Sequence, residues 1–331
     1  MTRIDRLLSG IDKTMAGLEV APWFAPIAAK RDGYNIRILD VFDRDTLRKI
    51  GEADPQQNWR DMSMLEDVDF VGSATEIASL IPADQHGTFD YIVSSHNFEH
   101  LPNPIKFLVG CGLLLKPGGV VTMAVPDRRA TFDYFRPHTS ISDWIAAFFE
   151  DRTMPTAKQA FDNSYASARL RRFGEDHFAH TIGQPLQDWR CIGDADKALQ
   201  VWTERLTAAN VGYTDCHCTI MTPAILELLL LEARLLGLIG LDVESVSETA
   251  GCEFFVRLRR PRVAQESKVV ADINERRSAV MRRVVTEYGV QSTTKPDFVR
   301  ALRHGKPMIG LRKMSRVVRG FGRRLRGKPV S

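Results

Sequence analysis

Between residues 15 and 125, short aliphatic and β-branched runs alternate with segments of helical pattern, and this alternation constrains the chain more than any other feature. Runs such as Tyr91-Ile92-Val93 and Val120-Val121-Thr122-Met123 show no polar face, as expected of strands buried on both sides of a parallel sheet. We read strands at 15–20, 35–41, 91–95 and 119–125, with a shorter one at 68–71. Helices fall between them at 44–50, 74–81 and 104–115, the last ended by Lys116-Pro117-Gly118-Gly119, a stop followed by a turn. This is the βαβ grammar of a doubly wound sheet.

The pattern changes after Pro126. Residues 127–214 are polar, aromatic and charged with only short helix-like pieces, as expected of a helical insertion or lid that recognises a substrate. Regularity returns with a helix at 222–236 and strands at 240–246 and 253–258, joined by Ser247-Glu248-Thr249-Ala250-Gly251. The expected fold is therefore α/β: a Rossmann-like, seven-stranded doubly wound sheet with an antiparallel terminal hairpin, occupying residues 1–260. Residues 261–331 are expected to form a helical, basic C-terminal extension with helices at 269–288 and 310–325.

At 331 residues and 44% hydrophobic, the chain can bury a sizeable core without disulfides. Its five cysteines, an odd number, fit a reducing cytoplasm better than secretion. The most apolar stretch, 225–243, is interrupted by Glu227, Glu232, Arg234 and Asp242, so it reads as a core helix and strand rather than a membrane span. Net charge is +4, but residues 301–331 hold ten Lys/Arg and no acid, which leaves 4 − 10 = −6 for the first 300. An acidic body with a basic tail speaks to the tail's partners.

Ligands of open α/β sheets bind beyond the carboxyl ends of the strands. Glu19 and Asp40 stand at two such ends, and an acid after the second strand is placed to accept both ribose hydroxyls of a nucleoside. Further along, Phe89-Asp90-Tyr91-Ile92-Val93-Ser94-Ser95-His96-Asn97-Phe98-Glu99-His100-Leu101, then Pro104-Ile105, then Leu114-Leu115-Lys116-Pro117-Gly118-Gly119 resembles the corresponding run of class I S-adenosylmethionine-dependent methyltransferases. The resemblance covers residues 15–126 and resumes at 217–260; within the family it looks closest to methyltransferases of bacterial polysaccharide biosynthesis. It implies S-adenosylmethionine as cofactor, bound by Glu19, Ala21, Pro22, Asp40, Gly72, Ser73, Ser94, Ser95 and His96. Two positions depart from the family pattern. Ala21 stands where a glycine lets the cofactor pack on backbone, and Ser73 stands where an Asp commonly bonds the adenine amino group. A closed cofactor site, leaving a scaffold or membrane adaptor, is the alternative these departures raise.

Methyl transfer asks the protein mainly to align the acceptor, with a base where a hydroxyl proton must leave. His96, followed by Asp127, heads the candidates, with His138, His177 and His180 offered by the insertion. Arg128 and Arg129 suit an anionic acceptor. His96-Asn97-Phe98-Glu99-His100 also spells an inverted zinc-protease pattern, but that needs a helix, and Pro102 and Pro104 break one; Cys216-His217-Cys218 lacks a second ligand pair. No metal is therefore expected. A dinucleotide oxidoreductase would need a G-x-G-x-x-G loop that is missing.

The expected activity is methylation of a glycan, lipid-linked saccharide or small molecule. In the tail, Leu311, Met314, Val317, Val318, Phe321 and Leu325 recur at helical spacing among arginines, an amphipathic pattern suited to an anionic membrane surface; nucleic acid ranks lower because the body is acidic. The expected location is the cytoplasm, with the tail peripheral at the inner face of the membrane.

Overall fold

The computed structural model describes residues 2–53, 61–207, 215–262 and 267–290. The compact unit spans Met1–Glu287; of the second unit, Tyr288–Ser331, only 288–290 are described, so the expected helix at 310–325 lies outside the described residues.

A short helix, α1 (Arg3–Leu7), leads into β1 (Gly17–Val20), β2 (Ile36–Asp40), α2 (Arg44–Ala53), β3 (Phe70–Val71), α3 (Ile77–Leu80), β4 (Phe89–Ser95), α4 (Pro104–Leu114) and β5 (Leu115–Pro126). The insertion holds α5 (Ile141–Phe149), α6 (Ala157–Tyr165), β6 (Ala168–Arg172), β7 (Glu175–His177), β8 (Trp189–Cys191) and α7 (Ala195–Thr207). The chain then makes α8 (Pro223–Leu235), β9 (Asp242–Val246), β10 (Glu253–Arg259) and α9 (Ser267–Val290).

The main sheet has seven strands in the order β3-β2-β1-β4-β5-β10-β9. Pairings from β3 through β5 are parallel, and β10 runs antiparallel to both β5 and β9, as the sequence predicts. Strand order reverses between β1 and β4, which opens the crevice beyond their carboxyl ends.

The unbroken aliphatic runs are explained by burial on both faces. Ile92, Val121, Met123 and Val125 enter the larger apolar cluster with α4 and α8, whereas Tyr91, Val93, Val120 and Ala124 pack on the opposite face with Leu7, Leu8 and Ile36. Gly17 is required by this packing: a Cβ there would lie 2.2 Å from the Tyr91 ring. Helix α4 starts at Asn103, whose side chain accepts from the Lys106 N–H at 3.1 Å, with Pro104 in the first turn. It stops at Leu114; Lys116-Pro117-Gly118-Gly119 belongs to β5 instead of to a separate turn, with a register shift against β4 between Phe89 and Tyr91.

The insertion holds strands beside the expected helices. Its strands form a second sheet, β7-β6-β8, antiparallel throughout. That sheet has its own small core of Tyr134, Ala168, Leu170 and Trp189, in which the rings of Tyr134 and Trp189 stack 4.3 Å apart.

The acids that interrupt the apolar stretch of α8 have a structural purpose. Glu227 bonds Arg276 at 2.8 Å and Arg283 at 2.6 Å, and Glu232 bonds Arg277 at 2.8 Å, so both acids meet α9. Ile273 and Val280 of α9 are buried in the main cluster. No described helix is long and apolar enough to cross a membrane.

Candidate functional site

The loops at the sheet's carboxyl rim are built around two buried acids. Glu19, 1% exposed, accepts from the backbone N–H groups of Ile27 (2.6 Å) and Ala28 (3.0 Å) and so folds the loop after β1 back onto the strand. Burial pushes its carboxyl up to about 7 despite these bonds. Asp40, 3% exposed at the end of β2, accepts from Val41 N–H at 2.7 Å and from the backbone of Phe42 and Trp23; burial pushes it up to about 6. The loop from β1 is thus drawn over Asp40.

That loop turns left-handed without glycine. Ala21 has φ +52° and Trp23 φ +44°, a region that costs an L-residue about 1 kcal/mol. The Ala21 N–H donates to Leu39 O at 2.8 Å and the residue packs against the main apolar cluster, so this position is held from both sides. Pro22 O accepts from Ala25 N–H at 3.0 Å, closing the turn. Gly72 N–H donates to Asp40 O at 2.8 Å, and Ser73 caps the turn after it by accepting from Thr75 N–H at 3.3 Å.

These residues fit an adenosyl cofactor. Asp40 is held by neutral backbone donors, with no ion pair among the described residues, which leaves acceptor positions for a ribose diol. It stands beside the β1/β4 crevice, across which Gly72 and Ser73 follow β3 and Ser94 and Ser95 end β4.

At the end of β4 the buried Ser94 accepts from Asn97 Nδ2 at 3.3 Å and Ser95 accepts from Arg3 at 2.5 Å. His96 follows at φ +49°, with Nε2 2.9 Å from Glu253 and Nδ1 3.5 Å from Glu99. Burial works against its charge, but the two carboxylates prevail and hold it up at about 9. His96 is therefore an imidazolium at neutral pH, and the expectation that it serves as a base gives way to a role as cation and donor.

Asp127 departs from expectation too. Its oxygens accept from Arg129 N–H (2.8 Å), Arg129 Nη2 (2.6 Å) and Thr249 Oγ1 (2.5 Å) in a fully buried position, so it caps the turn after β5 rather than awaiting a proton. Arg129 is consumed by that pair, and Arg128 donates to Tyr134 O at 2.8 Å, which turns both guanidinium groups inward instead of toward an anionic acceptor. Among the insertion's histidines, burial and then Arg128 lower His138, whereas His180 lies beside the β5 exit, its N–H donating to Ala130 O at 2.8 Å. His177 lies in β7, within ring-contact distance of His180.

What the sequence reading missed is a partnership across the insertion. The extended segment 216–220 docks on the turn after β4: Cys218 and Thr219 N–H groups donate to Glu99 O at 2.6 and 3.1 Å. Cys216 and Cys218 are buried, and His217 between them is carried to Glu99. The insertion clamps the segment in place, through Arg136 Nη2 to His217 O at 2.8 Å, Thr139 N–H to Ile220 O at 3.0 Å and Trp144 Nε1 to Thr219 at 3.2 Å.

Glu99 is thus wholly buried among His96, His100 and His217, at 3.5, 3.8 and 4.0 Å from one oxygen. Burial would raise its carboxyl, but the surrounding imidazoles hold it below the ordinary range. Farther out, Asp215 lies 2.7 Å from His100 Nδ1, and Asp133 bonds His217 Nδ1 while also accepting from Arg136 at 2.7 Å. The Glu-His pair was visible in the sequence motif; its junction with His217 had no local signal.

A strand order with its reversal at β1/β4, a rim acid on β2 and a terminal reversed strand define a nucleotide-binding α/β architecture. Residues 10–205 match the methyltransferase-domain family, and the chain belongs to that family. S-adenosylmethionine is the methyl donor this membership implies.

A stretch of 48 residues is 35% identical to a ubiquinone biosynthesis O-methyltransferase of Xanthomonas campestris pv. campestris; it covers 14% of this chain and only 20% of that relative. Among solved structures, an S-adenosylmethionine-dependent methyltransferase of Mesorhizobium loti aligns with TM-score 0.38 and 13% identity, over 77% of this chain and 95% of that one. The CcbJ methyltransferase of Streptomyces caelestis aligns with TM-score 0.38 and 12% identity, over 78% and 97% respectively.

Proposed function

We propose that this methyltransferase acts on a hydroxyl oxygen of a glycan, a lipid-linked saccharide or a small molecule. The observation that carries the reading is the cluster of Glu99, His100 and His217 just beyond β4, a polar group at the rim where the reacting methyl is expected. The O-methyltransferase likeness, short as it is, points to the same acceptor atom. Exposed Phe178 and Leu186 on the insertion favour an acceptor with an apolar part, since Ala179 bridges to Thr131 and brings this surface beside the β5 exit.

When bound, S-adenosylmethionine supplies a methyl group activated by a positively charged sulfur. Asp40 takes the ribose hydroxyls, and the loop from Ala21 to Pro26 covers the site and limits water. Ser94 and Ser95 end the strand beneath it. The acceptor hydroxyl is positioned by the polar cluster of Glu99, His100 and His217, with Asp215 and Asp133 standing against the two rings. His96, already protonated, adds positive charge on the other side of Glu99.

Titration calorimetry with S-adenosylmethionine and its demethylated product tests the reading, together with transfer of a labelled methyl to panels of hydroxyl, amine and carboxylate acceptors. Micromolar binding with label confined to hydroxyl compounds is expected. No heat at millimolar ligand, or label found on amines, overturns it.

A further inference from the structure

We propose that Glu99, His100 and His217 form a binding site for one divalent transition-metal cation of the zinc or manganese type, at the cluster on which the reading above rests. Donor atoms of the three residues lie within 4.8 Å of one another, with His100 Nε2 3.8 Å and His217 Nε2 4.0 Å from the same Glu99 oxygen. Two imidazoles and a carboxylate are a donor set suited to such ions. Bond lengths of about 2.0–2.2 Å need the donors only about half an ångström closer.

Two further observations point to a ligand. The first is Glu99 itself: the residue is 0% exposed, and neither oxygen has a hydrogen-bond partner among the described residues. Its neighbours at 3.5–4.0 Å stand beyond good hydrogen-bonding distance, as though an ion belonged between them. A buried carboxylate without close partners is costly, and a divalent cation removes that cost directly.

The second is the outer layer. Asp133 engages Nδ1 of His217 and Asp215 stands against Nδ1 of His100, which leaves each Nε2 turned toward Glu99. For His217, a carboxylate–histidine–metal chain orients the ligand in this way, fixing the tautomer that leaves a lone pair on the inner nitrogen. Arg136 and Asn163 steady the His217 side, the first through its bond to Asp133 and both through the backbone of His217.

With three protein donors, the cation keeps positions open for water or for the acceptor oxygen, whose proton it would make easier to remove. The inverted zinc-protease pattern in the sequence therefore contributes only its Glu and second His; the third ligand comes from the far side of the insertion, and no helix is needed.

The test uses the full chain stripped with a chelator and titrated with zinc chloride and, separately, manganese chloride, without cofactor or acceptor. One equivalent should bind per chain, and cobalt(II) should give the visible bands of a site with nitrogen ligands. E99Q and H217A should each weaken binding at least a hundredfold. D215N alters an exposed residue beyond the inner donors and should weaken it roughly tenfold while the circular dichroism and melting profile stay unchanged, which separates ligation from folding. Absence of stoichiometric binding, or equal affinity in all three variants, overturns the proposal. Because the readout contains no methyl transfer, a chain that binds no metal yet methylates hydroxyls sinks only the metal site, whereas a metal-binding chain that methylates none sinks only the acceptor assignment.

Discussion

At the scale of single residues, the rim depends on carboxyl groups kept in unusual environments. Glu19 has a native value of about 7, above the ordinary 4.5, so the folded state binds its proton more tightly than the unfolded state does. Its contribution is most favourable below about pH 4.5 and is lost as pH rises toward 7, at a cost on the order of 1–3 kcal/mol. Urea midpoints of wild type and E19Q measured from pH 4.5 to 8 should diverge accordingly, with wild type losing stability faster; parallel curves would contradict the assignment. For Asp40, replacement by Ala should weaken S-adenosylmethionine binding by about 1.5–3 kcal/mol, the value of a hydrogen bond to a charged group, as measured calorimetrically. An unchanged affinity would move the ribose elsewhere. The acids at 19 and 40 were legible because each ends an aliphatic run. The committed states of Asp127 and Arg129 were not, since their mutual bonds with Thr249 depend on the terminal hairpin folding back beside β5.

Among the elements, β4 and β5, buried on two faces, declared themselves by nearly unbroken aliphatic sequence, which is why their positions could be anticipated. The insertion's strands could not. In β6, only Ala168 and Leu170 are fully buried among arginines, too short an alternation to separate from a polar loop. The packing at β1 makes a sharp prediction: G17A drives a methyl into the Tyr91 ring, and strain of about 1–3 kcal/mol should appear as a lowered denaturation midpoint. At the α8–α9 contact, E227A removes the shared partner of Arg276 and Arg283. Loss of about 1–3 kcal/mol is expected in the same assay, and a neutral result would show that the apolar contacts of Ile273 and Val280 suffice.

For the whole molecule, charge is distributed unevenly: the acidic first 300 residues carry a net −6 by the count above, and the last 31 are purely basic. The basic segment lies outside the described residues, and its expected association with anionic membranes is decided by sedimentation. Full-length protein should pellet with phosphatidylglycerol vesicles at low salt and release at high salt, whereas a chain ending at residue 300 should stay in the supernatant. Equal pelleting would dismiss the tail as an anchor.

The docking of residues 216–220 against the turn after β4 has a consequence for how the enzyme comes into being. Synthesis of the first strands lays down a pocket for the nucleoside, yet the imidazole that completes the cluster emerges only after the entire insertion has left the ribosome. The proposed cluster is thereby completed only when the insertion folds, so a chain nicked within it is expected to lose His217 from Glu99.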